Sequence, residues 1–321
     1  MYPRILTIPL PFEGFDGITL YSFGLMVAVA ILTATAMTRI ELERMYARGI
    51  VGSVRETVKD ARGRNKVVQA SPAVLVGTMM VLAAVFGVLG SKLFHIIDFW
   101  DLFVQNPRAF LLSTSGLTFL GGLICASIAI ALYARSKGMN LPRLADAIAP
   151  GLLLAYGIGR IGCYLSGDGD WGVCSSTADK PAWVPTFLWS ETFPNNLAGG
   201  ETPIDPVLFN AQSRGAECAL ANPTGVYPTM LYEFAVCAVL AGVLWALRKH
   251  PYRGGWLMSL YLVFAGLERF GIEFIRVNRE LALGLSQSQW ISLVMIVAGL
   301  VGAVVLRRRV AEAPLHSVAA G

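Results

Sequence analysis

Charge is scarce in this sequence. Of its 321 residues only 15% are Asp, Glu, Lys or Arg, while 55% are hydrophobic, and mean hydropathy is +0.58. Soluble domains carry about 25% charged residues, so the composition excludes an ordinary soluble pair of domains. It points to one polytopic membrane domain over 1–321. Histidine is scarcer still. His95, His250 and His316 are far apart and no ligand spacing recurs, which leaves no metal site to expect. No phosphate-cradling glycine loop and no nucleic-acid motif is present, so neither a cofactor nor a nucleic acid is expected. No internal repeat is visible, which argues against a transporter built from inverted halves. A cleavable signal peptide is not expected either. Pro3, Pro9 and Pro11 interrupt the first apolar residues, and the run from Gly17 is long enough to span and stay.

Five cysteines are too few for a disulfide scaffold. Cys125 and Cys237 lie inside apolar runs and read as packing residues. Cys174 and Cys218 share one long polar segment. They pair if that segment faces an oxidising compartment and stay as thiols otherwise.

What the chain has in abundance is long apolar runs. By length they predict an all-α bundle of seven spans: 17–38, 72–97, 116–134, 145–165, 227–247, 255–276 and 288–306. Lys and Arg alternate between the connecting segments. Segment 39–69 holds eight, 98–115 only Arg108, and Arg135, Lys137 and Arg143 follow the third run. The segment 166–226 has Lys180 and Arg214, whereas Arg248, Lys249 and Arg253 follow the fifth run and Arg307–Arg309 the seventh. The positive-inside rule then puts the N-terminus outside and the C-terminus in the cytoplasm. Segment 166–226 becomes an outward irregular cap, rich in Pro, Gly, Asn and Thr, with Trp171, Trp183 and Trp189 suited to the interface. Residues 52–69 read as a basic loop attracted to anionic lipid heads, and the tail beyond Arg309 reads as disordered.

An ionisable side chain inside a span costs several kcal/mol by most measures, so each needs a reason. Lys92 sits near the outer end of the second run, where its long stem reaches the interface or its charge lines a cavity. Asp146 opens the fourth run, where an acid complements the helix dipole. Arg160, in the stretch GRIGCYLSGDGDWG, lies roughly 21 Å into that helix at ~1.5 Å per residue. Glycines beside it permit close backbone packing. Tyr232 and Glu233 stand one turn into the fifth run, and Pro228 suits its first turn. Arg269, Glu273 and Arg276 are spaced i, i+4 and i+7, which puts them on one helix face. Two arginines against one carboxylate leave a surplus cation. Arg160, Arg269, Arg276, Asp168, Asp170 and Glu233 fall toward the outer half of the membrane. Surplus guanidinium there suits a phosphate held beside the bilayer, for which a phospholipid head is the commonest source.

Several motifs, in order, resemble those of the prolipoprotein diacylglyceryl transferases of bacterial inner membranes. SFGLM at Ser22–Met26 is similar to the family's first-span Tyr-Gly-Leu element, with Tyr21 standing in for a tyrosine replaced by Phe23. SGLTFLGGLI at Ser115–Ile124 resembles its Ser-Phe-His-Gly-Gly-Leu element, including Gly121 and Gly122 but with Leu120 in place of the histidine. LADAIAPGLLLAYGIGRIG at Leu144–Gly162 matches a signature closely, and Cys163 stands where the family often has asparagine. YPTMLYE and RFGIEFIR match two more. The Gly-Glu-Leu-Trp-Gly segment reads Gly167 to Gly172 with one residue inserted, so its glutamate is assigned to Asp168, with Asp170 the alternative. These departures mark a divergent branch.

The resemblance implies transfer of a diacylglyceryl group from phosphatidylglycerol to the lipobox cysteine of a prolipoprotein signal peptide, with release of glycerol phosphate. It implies a multi-pass protein of the bacterial inner membrane. Arg160 and Arg269 are expected to stabilise the departing phosphate. Arg276, Gly121, Gly122, Tyr21 and Cys163 are expected to complete the lipid site. The substrate thiol must lose a proton, and Asp168, Tyr232 or Glu273 is expected to help. Asp146, Glu233 and Lys92 are expected to support the site. The alternatives are a relative that binds anionic lipid without transfer, and a transporter.

Overall fold

A computed structural model describes residues 2–8, 18–59, 64–112, 118–198, 203–213, 223–278 and 280–308. Ten helices make up most of the described residues: α1 Ser22–Ala47, α2 Val76–Asp98, α3 Trp100–Gln105, α4 Pro107–Leu112, α5 Phe119–Ser136, α6 Leu141–Ser166, α7 Pro206–Ser213, α8 Thr229–Leu247, α9 Trp256–Ile272 and α10 Gln287–Leu306. Four two-stranded antiparallel sheets are added: β1 Arg4–Ile8 with β2 Ile18–Tyr21, β3 Val54–Lys59 with β4 Asn65–Ala70, β5 Cys174–Ser175 with β6 Gly225–Val226, and β7 Glu280–Ala282 with β8 Leu285–Ser286. Among the described residues five helices are long and apolar enough to cross a membrane: Ser22–Ala47, Pro72–Asp98 (α2 with the 3-10 turn before it), Leu141–Ser166, Thr229–Leu247 and Gln287–Leu306. The chain is a mostly helical polytopic membrane protein. Cys218, Arg214, the start of the Ser115–Ile124 motif and the tail beyond Arg308 lie outside the described residues.

The helices start and stop for local reasons. Ser286 accepts the Gln289 amide while the Gln289 side chain accepts the Ser286 amide, a reciprocal cap that fixes the start of α10. Gly255 precedes α9 at φ +94°, a conformation that disfavours any side chain. Three expectations are corrected. The first run becomes a helix that continues to Ala47, past residue 38. The basic loop becomes a hairpin with Val54 opposite Ala70 and Lys59 opposite Asn65, because Val and Thr alternate with polar residues there. The α9 helix ends at Ile272, a 3-10 turn covers Glu273–Ile275, and Arg276 is extended.

The chain divides into two compact units, with the boundaries inside α1 and α6. Unit 1 holds Met1–Ala34 and Ile148–Val310. Its membrane core is Leu153, Cys237, Ala241, Leu244 and Leu257, all essentially inaccessible. A second cluster, Cys163, Trp171, Phe193, Val226 and Met230, joins the end of α6 to the segment that follows it. Lipid tails are as apolar as Leu, so helices here associate through close backbone approach. A Cβ on Gly299 would stand 2.6 Å from the Ser259 carbonyl, and one on Gly157 2.9 Å from Cys237 Cβ. Those contacts lock α9 to α10 and α6 to α8.

Unit 2 holds Thr35–Ala147. Its core is Leu42, Met45, Val54, Leu75, Val76, Met79, Ala134 and Leu144. Gly121 and Gly122 sit where α5 crosses α2: a Cβ on either would meet Phe94, Ser91 or the carbonyls of Gly90 and Gly87 at 2.8 Å or less. Asp146 is fully buried and Lys92 is half-buried with its ammonium 5.7 Å from the Phe110 ring centroid.

Candidate active site

Arg160 comes from the last turns of α6, where the sequence supplies Gly157, Gly159 and Gly162 around it. Its first partner lies one turn back on the same face. The Arg160 Nε and Nη2 donate to the Tyr156 hydroxyl at 3.2 and 3.0 Å. Glu233, from the first turn of α8, is fully buried; its Oε2 accepts from Tyr156 Oη at 2.7 Å and pairs with Arg160 Nε at 2.6 Å. The other oxygen of Glu233 takes a second guanidinium, Arg276 Nη1, at 3.1 Å.

A second carboxylate closes the figure. Asp170 Oδ2 accepts from Arg160 Nη1 at 2.5 Å and Oδ1 from Arg276 Nη2 at 2.6 Å. Two guanidiniums and two carboxylates therefore alternate in a ring, Arg160–Asp170–Arg276–Glu233. The ring is electrically neutral. This corrects the surplus-cation expectation: Arg276 faces the loop after α6 instead of sharing a stripe with Arg269 and Glu273. The break at Ile272 makes that possible, because backbone pairing of Gly172 with Arg276 then replaces the helix. Val173 N–H donates to the Ile275 carbonyl at 2.9 Å, and Gly172 N–H to the Tyr227 carbonyl at 2.8 Å. Only glycine fits at 172, where a Cβ would lie 2.6 Å from the Ile275 oxygen.

The Asp170 environment is asymmetric. Glu233 has no solvent exposure, whereas the Asp170 side chain is 34% exposed. Burial raises the Asp170 pKa, but Arg276 and Arg160 outweigh it and hold the carboxyl below the usual carboxylate range. Asp168 is exposed, accepts the Asp170 amide at 3.2 Å and makes no arginine ion pair among the described residues. Cys163 Sγ and a carboxylate oxygen from each of Asp168 and Asp170 lie within 4.8 Å of one another. That trio fits a metal poorly, because both Asp170 oxygens already bind guanidinium and Arg160 stands 3.9 Å from the sulfur.

Arg269 belongs to a separate group in the same unit. Its Nη2 pairs with Glu273 Oε2 at 3.0 Å and donates to Ser288 Oγ at 3.0 Å, while its Nη1 is buried without a partner. Glu273 Oε1 also accepts from Ser286 Oγ at 2.5 Å and Asn278 Nδ2 at 2.8 Å. The Tyr232 hydroxyl donates to the Leu188 carbonyl, tying α8 to the segment that follows α6. Tyr21 ends β2, with 44% of its surface exposed. Gly121, Gly122, Lys92, Asp146 and Leu120 all belong to unit 2. Sequence reasoning missed Tyr156, although its i, i+4 spacing to Arg160 placed it on the same face.

A family model described as prolipoprotein diacylglyceryl transferase matches residues 12–305. The chain belongs to that family. It is a membrane-embedded transferase of lipoprotein biosynthesis. Among similar curated proteins is a phosphatidylglycerol–prolipoprotein diacylglyceryl transferase of Dehalococcoides mccartyi. It is 33% identical over 225 residues, covering 68% of this chain and 72% of that one. A transferase of the same name from Burkholderia cenocepacia is 29% identical over 301 residues, 91% and 92% of the two chains. The second such transferase of Clostridium perfringens is 27% identical over 286 residues, 88% and 90% of the two chains. The Arg160 ring and the Arg269 group both fall inside the matched segment.

Proposed function

We propose that this protein moves the diacylglyceryl group of phosphatidylglycerol onto the lipobox cysteine thiol of a prolipoprotein signal peptide, in the bacterial inner membrane. The cysteine sulfur bonds to the glyceryl carbon that carries the phosphate ester. The carbon–oxygen bond breaks, and its electron pair leaves on glycerol phosphate. The thiol proton passes to a base. The observation that carries this reading is the Arg160–Arg276 pair, two guanidiniums aimed at one point at the end of a membrane helix, in a chain of this family. Charge gathers on the phosphate oxygen as the bond breaks, and fixed guanidiniums lower the energy of that state.

Arg160 and Arg276 would hold the phosphate, with Arg269 supplying further positive charge through its unpartnered Nη1. Glu233 pairs with both ring arginines. Of the three candidate bases, Asp168 is favoured. Tyr232 donates its proton to Leu188, and Glu273 is held by Arg269, Ser286 and Asn278. Asp168 is exposed and lies beside Cys163. Cys163 and Tyr21 are assigned to lipid contact. Gly121 and Gly122 permit the close approach of α5 to α2 within unit 2.

Seven spans in one domain, with an outside N-terminus, a cytoplasmic C-terminus and an outward cap over 166–226, remain the topology proposed. The shorter helices α5 and α9 supply the two further spans. At ~1.5 Å per residue the α9 helix rises about 26 Å, near the ~30 Å hydrocarbon thickness. Lys and Arg alternation gives the orientation.

The test uses purified protein in phosphatidylglycerol micelles with a lipobox peptide. A diacylglyceryl mass gain is expected on the cysteine peptide and none on a peptide carrying serine instead. Lipid binding without mass gain would favour a non-catalytic lipid-binding relative, the outcome that Leu120 in place of the family histidine would explain.

A further inference from the structure

Asp170 occupies the point where both free edges of Arg160 and Arg276 converge. Its two oxygens take one Nη from each arginine, at 2.5 and 2.6 Å. Two non-bridging oxygens of a phosphodiester present the same pair of acceptors, at similar spacing and with the same single negative charge. Replacing Asp170 by a phosphodiester leaves the ring neutral, whereas adding one beside Asp170 does not. Of the two ring carboxylates, Glu233 is fully enclosed and Asp170 reaches solvent.

We infer that the Asp170 carboxylate is a placeholder for the lipid phosphodiester, holding the two arginines in place and rotating away when the lipid binds. The inference rests on the phosphatidylglycerol reading above. The motion is a side-chain rotation and leaves the loop where it is. The Asp170 carbonyl accepts from Thr229 Oγ1 at 3.0 Å and its amide donates to Asp168, while Gly172 and Val173 are fixed to Tyr227 and Ile275. Glu233 pairs with both arginines and keeps their spacing on the buried side. Asp170 neutralises the exposed side until lipid arrives, and binding is weakened by the fraction of time the ring is closed. Product release follows the same logic. Glycerol phosphate carries more than one negative charge near neutral pH, overcharges the ring, and lets Asp170 return.

The experiment measures equilibrium binding of phosphatidylglycerol in detergent micelles by native mass spectrometry, for the wild type, Asp170→Asn, Asp170→Glu and Arg160→Gln. Glycerol phosphate and inorganic phosphate serve as soluble competitors. A placeholder predicts that Asp170→Asn binds phosphatidylglycerol about tenfold more tightly, as for a ring closed about 90% of the time. Asp170→Glu, which keeps the charge, should bind like the wild type. Unchanged or weaker lipid binding by Asp170→Asn overturns the inference. So does an Asp170→Asn chain that fails to fold while Asp170→Glu folds, since that marks a brace. Tighter binding confined to the soluble phosphates also overturns it, because the site would then read free phosphate and not the lipid head. The parent reading has its own control: wild-type binding that Arg160→Gln does not weaken removes both.

Discussion

The two arginine groups of unit 1 differ in how they are held. In the ring, each carboxylate bridges two guanidiniums, and Glu233 is fully enclosed. In the other group, Arg269 meets one carboxylate and one hydroxyl, keeps a buried nitrogen without a partner, and its side chain is 23% exposed. The first arrangement is the more heavily cross-linked of the two. A charge pair taken out of water is stabilising only when its remaining donors and acceptors are filled, and breaking one partner leaves an uncompensated charge. Each group keeps one buried guanidinium nitrogen without a partner among the described residues, Arg276 Nε in the ring and Arg269 Nη1 in the other; the ring brings two guanidiniums to one point for a ligand, and Arg269 is the more exposed cation.

Breaking the ring at its buried corner should have the largest effect. Glu233→Ala leaves Arg160 and Arg276 facing each other and is expected to cost about 3–5 kcal/mol. Denaturant titration in micelles measures it. Overfilling the loop behind the ring comes next: Gly172→Ala is expected to cost about 1–3 kcal/mol and to cut transfer by displacing Arg276. Arg269→Ala should lower stability less than Glu233→Ala, because Glu273 retains Ser286 and Asn278. Its transfer rate should nonetheless fall, and that separation of stability from rate distinguishes the two groups.

The smallest effect is on pH. Asp170 has its folded pKa depressed, so its contribution is present above the ordinary Asp value of about 3.9 and is lost as pH falls through the depressed value. Melting temperature should be level from pH 7 to about 4 with respect to this group and decline below that. Asp170→Asn should flatten the acid limb. An unaltered acid limb in that variant would mean that Asp170 does not feel the two arginines.

Much of the molecule was legible as sequence because membrane spans and helix faces are local. Apolar length located the long helices. What escaped depends on contacts far apart in the chain. The i, i+7 spacing of Arg269 and Arg276 assumed a continuous helix, but pairing of Arg276 with Gly172, over a hundred residues away, ends that helix early. The same contact decides between Asp168 and Asp170. The sequence assignment favoured Asp168 with Asp170 the alternative, whereas the turn through Gly169 at φ +92° sends only Asp170 to the arginines. Cys174 proves to be disulfide-bonded, which neither composition nor spacing decided.

The central claim is that the Arg160 ring receives the phosphate that leaves. Its most direct test is the rate of diacylglyceryl mass gain on a lipobox peptide in phosphatidylglycerol micelles, wild type against Arg160→Ala, with folding of both checked by melting. A folded Arg160→Ala chain is expected to lose at least about a hundredfold in rate, the scale of removing one charge-stabilising donor. A folded variant that transfers within a few-fold of wild type would contradict the account.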